Sequence, residues 1–264
     1  MEFNFKKKFG QNFLTDKNLL SSIVSLSGAD ENSTVLEIGP GAGALTEAIA
    51  KKVKKVISFE IDRELEPILS KNLEGFSNCE IVFKDFMKLS DEEIKEYVGN
   101  DYIVIANLPY YITSPILLRF FESKNPPKSL TIMVQKEYGE RMVAKPGDSE
   151  YSSMSALCSW LGEAKIVKQV PKKMFTPPPK VDSCIVRFEF NGNNYDEDFA
   201  AFIRCCFAMR RKTLVNNLSH GLNLTKEIVI NILKNNQIAE SVRAETLSVD
   251  DLKRLYKSIK IDEK

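Results

Sequence analysis

At 264 residues, and with about 150 residues per domain, the chain predicts one large domain or a large one with a small companion. Its 43% hydrophobic and 28% charged residues, with 12 Gly and 11 Pro, exclude the collagenous, low-complexity and disordered classes. The 37 Lys and Arg nearly cancel the 36 Asp and Glu, so bulk charge gives no warrant for a polyanionic or membrane partner.

The amino terminus, Met1 to Phe5 followed by Lys6-Lys7-Lys8, has no apolar stretch behind its charges. No run of about 18 apolar residues follows anywhere, which predicts a cytoplasmic protein with no membrane span. Short apolar runs predict strands over 34–38, 56–61, 80–83, 102–106 and 130–135, with a helix over 42–52 between the first two. Ser90 and Glu93, spaced S-x-x-E before Ile94, mark the start of another helix. Alternating strands and helices argue for an α/β fold on a parallel sheet. The apolar stretches 164–170 and 183–190 flank Pro177-Pro178-Pro179, a triplet that forbids helix and suits two strands leaving and re-entering one sheet edge.

Asn191-Gly192-Asn193-Asn194 reads as a linker, which divides the chain into domains 1–191 and 192–264, the second small and all-helical. Phe199, Phe202, Ile203, Cys206 and Phe207 fall on one apolar helix face, so Cys205 and Cys206 read as core or boundary residues. Further helices are predicted over 226–233 and 248–259, the latter opened by a Ser248/Asp251 capping box. The five cysteines are odd in number and lack C-x-x-C spacing, which argues against a disulfide framework and, with a single histidine, against a metal site. That histidine, His220, lies in a polar stretch and reads as a surface or cap residue, so Ser-His-Asp and Cys-His chemistry are unsupported.

Ligand chemistry begins at Glu37-Ile38-Gly39-Pro40-Gly41-Ala42-Gly43-Ala44, where glycines occupy a strand-to-helix turn and let a ligand approach the backbone. Glu60 ends the next strand, where a carboxylate accepts hydrogen bonds from ribose hydroxyls. Because the turn also satisfies G-x-G-x-x-A, these residues suit a nicotinamide cofactor and S-adenosylmethionine equally. Asp85, at the third strand end, suits an adenine amino group or, as well, a helix cap.

The fourth strand end carries Asn107-Leu108-Pro109-Tyr110-Tyr111. An exocyclic adenine amine is a poor nucleophile because its lone pair is delocalised into the ring. Hydrogen bonds from its two N–H groups to the Asn107 amide oxygen and the Leu108 carbonyl would orient it and favour pyramidal nitrogen. Pro109 fixes φ and brings no competing N–H, and Tyr110 offers a face for an extruded base. At this position the chain resembles the class I (Rossmann-like) amino-methyltransferases, which implies S-adenosylmethionine as cofactor.

The resemblance sharpens with Lys8-Phe9-Gly10-Gln11-Asn12-Phe13-Leu14, the Glu37 to Gly41 turn, Asn107 to Tyr111, and Phe175-Thr176-Pro177-Pro178-Pro179-Lys180-Val181-Asp182-Ser183. Together with a basic segment from Phe207 to Asn216, these blocks resemble the KsgA/RsmA-type small-subunit ribosomal RNA adenine dimethyltransferases over essentially the whole chain. The resemblance implies cofactor contacts at Asn12, Leu14, Gly39, Glu60, Asp85 and Asn107. It implies catalytic roles for Asn107, Tyr110 and Phe175, with Phe175 stacking on the target adenine opposite Tyr110; without it, Phe175 reads as a core residue. The implied substrate is a pair of adjacent adenines in small-subunit ribosomal RNA within a pre-ribosomal particle, modified by a monomer. The rival readings are an Erm-type large-subunit enzyme, which more often reads Asn-Ile-Pro-Tyr, and a non-catalytic nucleic-acid-binding relative.

Read by position, the charge balance changes meaning. From Phe199 to Lys226 there is no acid, but there are Arg204, Arg210, Arg211, Lys212 and Lys226, and the 164–181 stretch has five lysines and no acid. These stretches and Lys6-Lys7-Lys8 predict a basic face for RNA, with Arg210, Arg211 and Lys212 as its contacts.

Overall fold

The computed structural model describes residues 13–14 and 16–262. The strands in chain order are β1 (Phe13–Leu14), β2 (Thr34–Ile38), β3 (Lys55–Phe59), β4 (Cys79–Val82), β5 (Ile103–Asn107), β6 (Ser129–Gln135), β7 (Gly162–Val170), β8 (Phe175–Thr176) and β9 (Ser183–Phe190). Seven form one sheet in the order β4-β3-β2-β5-β6-β9-β7, while β1 and β8 pair separately. The pairs β4-β3, β3-β2, β2-β5 and β5-β6 are parallel, and β9 runs antiparallel to β6. Both late strands therefore lie at one sheet edge, as the proline-flanked stretches predict.

The order reverses between β2 and β5. In open α/β sheets ligands bind outside the carboxyl ends of the strands at such a switch point. Parallel pairing in register, Ile38 with Phe59 and Phe59 with Val82, brings the ends of β2, β3 and β4 to one edge. The central strands are buried through nearly their whole length, as strands covered on both faces must be. On one side the helices Lys17–Leu26 and Ala44–Ala50 bury Ile23, Val24, Leu45 and Ile49 in a core with Val35, Val56 and Ile105. Elsewhere in the core, Phe59 packs on Phe86, and Phe86 on Phe120, at centroid distances of 5.7 and 5.3 Å.

Two compact units result, residues 1–139 with 164–190 and residues 140–163 with 191–264. This division differs from a single cut at 191/192. The last of the three junctions falls where the linker is predicted, but 140–163 clusters with the carboxyl-terminal helices. The reason is packing: Trp160, on the helix Ser153–Leu161, stacks on Tyr195 at 5.8 Å and meets Phe199 edge-on at 4.8 Å. In the same unit the Tyr151 hydroxyl donates to the Leu247 carbonyl, and Gly147 N–H to that of Glu245. The remaining helices of this unit are Glu197–Cys206, Leu214–Gly221, Lys226–Asn235 and Val249–Asp262. Phe199, Phe202, Ile203 and Cys206 are buried along one face as the spacing predicts, while Phe207 is half-buried and His220 exposed. Both predicted capping boxes form: Ser90 with Glu93, and Ser248 with Asp251.

Candidate active site

Six of the predicted residues, Gly39, Glu60, Asp85, Asn107, Tyr110 and Phe175, line a single cleft at the carboxyl edge of the sheet. Gly39 follows β2 directly with φ +70°, and a side chain added there would meet no atom within 4 Å, so the turn faces open space. Gly43, with φ +86°, is the residue from which the helix Ala44–Ala50 starts, which is why the helix begins later than its composition predicts.

Glu60 lies one residue past β3 and is 4% exposed. One carboxylate oxygen accepts from Ile61 N–H at 2.8 Å and Asp62 N–H at 2.9 Å, and the other from Gly41 N–H at 3.3 Å. Burial pushes this carboxyl above its ordinary value, and those three N–H groups pull it back. The oxygen held by Gly41 alone keeps acceptor capacity at the cleft. One Asp85 oxygen caps Met87 N–H at 3.0 Å, and the residue also borders the cleft. An acid at the ribose position, a second acid beyond it and a turn open to a ligand fit the nucleoside part of S-adenosylmethionine.

Asn107 is the last residue of β5. Among the described residues its side-chain amide makes no hydrogen bond, while the next carbonyl but one, that of Pro109, is taken by Ile112 N–H and the Thr113 hydroxyl. Pro109 sits at φ −58° and begins the turn Tyr110–Ile112. The Tyr110 hydroxyl lies 2.7 Å from the Ser183 hydroxyl. Burial holds the Tyr110 phenol above its ordinary value, partly offset by that bond. Phe175 is 3% exposed and packs in the core cluster while also bordering the cleft, so it is at once the core residue its apolarity suggests and a wall of the site. Leu14 is not among the described residues that line the cleft; its backbone pairs with that of Phe175 in β1 and β8. Asn12 and Lys6-Lys7-Lys8 lie outside the described residues.

Sequence reasoning passed over Glu37, which is 1% exposed and also borders the cleft. The hydroxyls of Thr46 and Ser58 both donate to one of its oxygens at 2.7 Å. Burial pushes its carboxyl up to about 7 despite those bonds, with Glu60 adding to the rise. An acid inside the apolar run Val35 to Ile38 is the signal that marks it.

In the helical unit, Arg210 donates to the Ser149 carbonyl at 2.7 Å, whereas the side chains of Arg211 and Lys212 are exposed and make no hydrogen bond or ion pair among the described residues. Buried Asn217 grips the Met209 peptide at both ends, accepting from its N–H at 2.8 Å and donating to its carbonyl at 3.3 Å. It thereby presets the turn that carries the basic triplet, a role no spacing rule reveals. Among the described residues no group of three or more His, Cys, Asp or Glu is arranged to hold a metal, and no helix is long and apolar enough to cross a membrane.

Comparison with known proteins agrees with this arrangement. The family model for ribosomal RNA adenine dimethylase matches residues 2–260. Ribosomal RNA small subunit methyltransferase A of Bacillus mycoides (strain KBAB4) is 42% identical over 271 residues, covering 97% of this chain and 92% of the relative. The protein of that name from Bacillus cereus (strain B4264) is 42% identical over 273 residues, with the same coverage. A dimethyladenosine transferase from Plasmodium falciparum is similar in structure with a TM-score of 0.79 at 28% identity, over 95% of this chain and 98% of that one. The 23S rRNA methyltransferase ErmE gives 0.72 at 25% identity, over 94% and 100%. The chain thus belongs to the ribosomal RNA adenine dimethylase family, as an α/β methyltransferase whose cofactor is S-adenosylmethionine.

Proposed function

We propose that the protein dimethylates N6 of two adjacent adenines in small-subunit ribosomal RNA, acting as a monomer on a pre-ribosomal particle in the cytoplasm. The observation that carries this reading is the Asn107 amide at the end of β5, unpartnered among the described residues, in one cleft with Gly39, Glu60 and Tyr110. S-adenosylmethionine, when bound, supplies an electrophilic sulfonium methyl. Gly39, Glu60 and Asp85, which line the cleft, would hold it, with Asn12 and Leu14 joining them by the family resemblance. The Asn107 amide oxygen and Leu108 carbonyl accept the two N–H groups of the target amine and turn its lone pair toward the methyl donor. Tyr110 and Phe175 enclose the base. No residue need act as a strong base, because the amine loses its proton once methylated, and the rate gain comes from positioning. The first compact unit carries the chemistry, and Arg210, Arg211 and Lys212 of the second meet RNA phosphates.

The small-subunit names of the 42%-identical relatives support this choice of RNA. The likeness to ErmE supports large-subunit RNA as the second reading. Purified protein with S-adenosylmethionine is offered unmodified small subunits and free large-subunit RNA, and the nucleosides are weighed by mass spectrometry. Dimethyladenosine in the small-subunit RNA is expected; methylation of large-subunit RNA alone overturns the proposal.

A further inference from the structure

The Phe175 to Ser183 segment ends in two consecutive polar residues that the chemistry above leaves without a task. Ser183, the first residue of β9, is fully buried, yet its hydroxyl meets that of Tyr110, 73 residues away in sequence, at 2.7 Å. A tyrosine beside an open cleft has water available to its hydroxyl; this one is tied to a group that the sheet holds still, since Ser183 is paired with Gln135 of β6. Its neighbour Asp182 closes the other side. One Asp182 carboxylate oxygen accepts from Lys172 N–H at 2.9 Å, ten residues away. The Lys172 carbonyl in turn accepts from Phe175 N–H, ending the turn Lys172–Met174 from which Phe175 is presented. The Asp182 carbonyl is itself fixed by Lys136 N–H at 3.0 Å, one residue past the end of β6. Two adjacent residues anchored to one strand thus control the two aromatic rings that border the cleft.

We propose that Asp182 and Ser183 are positioning residues that set the aromatic walls of the base site, Ser183 through Tyr110 and Asp182 through the turn before Phe175. This rests on the adenine-transfer reading above. The hydroxyl bond stops the Tyr110 ring from swinging on its side-chain torsions, so the base meets a stacking face already in place and less ordering is required on binding.

The test is methyl transfer from radiolabelled S-adenosylmethionine to unmodified small subunits by the full-length protein, with cofactor Kd from calorimetry and the thermal midpoint measured alongside. Ser183→Ala and Tyr110→Phe each lower kcat about fivefold, the worth of one hydrogen bond, with cofactor Kd unchanged. The double variant is no slower than either single one, because both remove the same bond. Asp182→Ala lowers kcat by a similar factor and multiplies with Ser183→Ala, since it acts on the other wall. The proposal is overturned if Ser183→Ala and Tyr110→Phe multiply to about 25-fold, if Ser183→Ala turns over like wild type, or if its loss only tracks weakened cofactor binding. Should Ser183→Ala fail to fold, Tyr110→Phe keeps the ring and decides: wild-type kcat there overturns the proposal. A wild type inactive on small-subunit adenine defeats the reading of function, an outcome distinct from an active wild type indifferent to these changes.

Discussion

Burial raises the Glu37 carboxyl to about 7 from an ordinary 4.5. Within that window the folded protein holds a proton that the unfolded chain has released, so stability falls as pH rises through it. The full difference corresponds to about 3 kcal/mol. Glu37→Gln keeps the shape and an acceptor for Thr46 and Ser58 but cannot ionise. Denaturant titrations are expected to show wild-type stability declining more steeply than the variant's between about pH 4.5 and 7, the slope left in the variant being that of Glu60, whose carboxyl burial also raises; an equal slope in both would assign the effect elsewhere. At Asn107 the expectation is kinetic. Asn107→Ala should cut turnover by about 100-fold with RNA affinity little changed, and single-turnover assays at saturating RNA would show turnover near wild type if the amide is not the acceptor. Both residues were legible in sequence to different degrees. Asn107 stands in a motif with a chemical reason, and Glu37 is an acid in an apolar strand. Ser183 was not, because its partner is set by the pairing of β6 with β9 and not by local spacing.

Elements follow the same division. The seven strands of the main sheet were readable to within two residues because apolar runs bounded by polar turns leave little choice, whereas the two-residue β1 and β8 carry no such signal and were not. The misplaced end of β3 has a cause: Glu60 turns the chain by accepting the next two N–H groups with its own carboxylate. The helix Ser153–Leu161 buries Ala156, Leu157, Cys158, Trp160 and Leu161, nearly its whole surface, so it shows no stripe and its allegiance to the helical unit stayed hidden. Close approach is equally invisible. On the helix Lys136–Val143, a methyl added at Gly139 would run into the Cys184 sulfur and meet Val186 at 3.0 Å. Alanine gains about 1 kcal/mol in helix propensity, whereas overpacking costs about 1–3 kcal/mol. Gly139→Ala is therefore expected to lower the thermal midpoint, and Gly139→Ala with Cys184→Ala to recover part of the loss; a stabilised single variant would mean that the helix shifts freely on β9.

For the whole molecule, a net charge of +1 hides an uneven distribution: acid-free stretches at 164–181 and 199–226 are offset by acids such as Asp91, Glu92 and Glu93. Arg211 and Lys212 are exposed and have no partner among the described residues, and Arg210 is partly engaged by Ser149. Reversing Arg210, Arg211 and Lys212 to Glu should weaken RNA binding and flatten its dependence on salt by about 0.7 in log–log slope for each phosphate that is no longer neutralised. Filter binding over a salt series measures it, and an unchanged slope would remove these residues from the RNA interface. The 191–194 linker marks one of the junctions between the two units in the sequence, but nothing there marks the contribution of 140–163, since clustering in space leaves no compositional seam.

The place of β9, lying between β6 and the earlier-made β7, bears on how the protein comes off the ribosome that builds it. Leu130 pairs with Phe188, so β6 keeps an open edge until the chain has been translated almost to residue 190, and β7 waits outside a gap its neighbour has yet to fill. Such distant pairing is slow to close. Pulse-labelled hydrogen exchange during refolding should find the β6–β9 ladder protected after β2–β3, and protection in the reverse order would contradict this. Until that ladder closes, Tyr110 has no Ser183 to hold it, so a nascent chain already able to shape its cofactor turn is still without a finished place for the base.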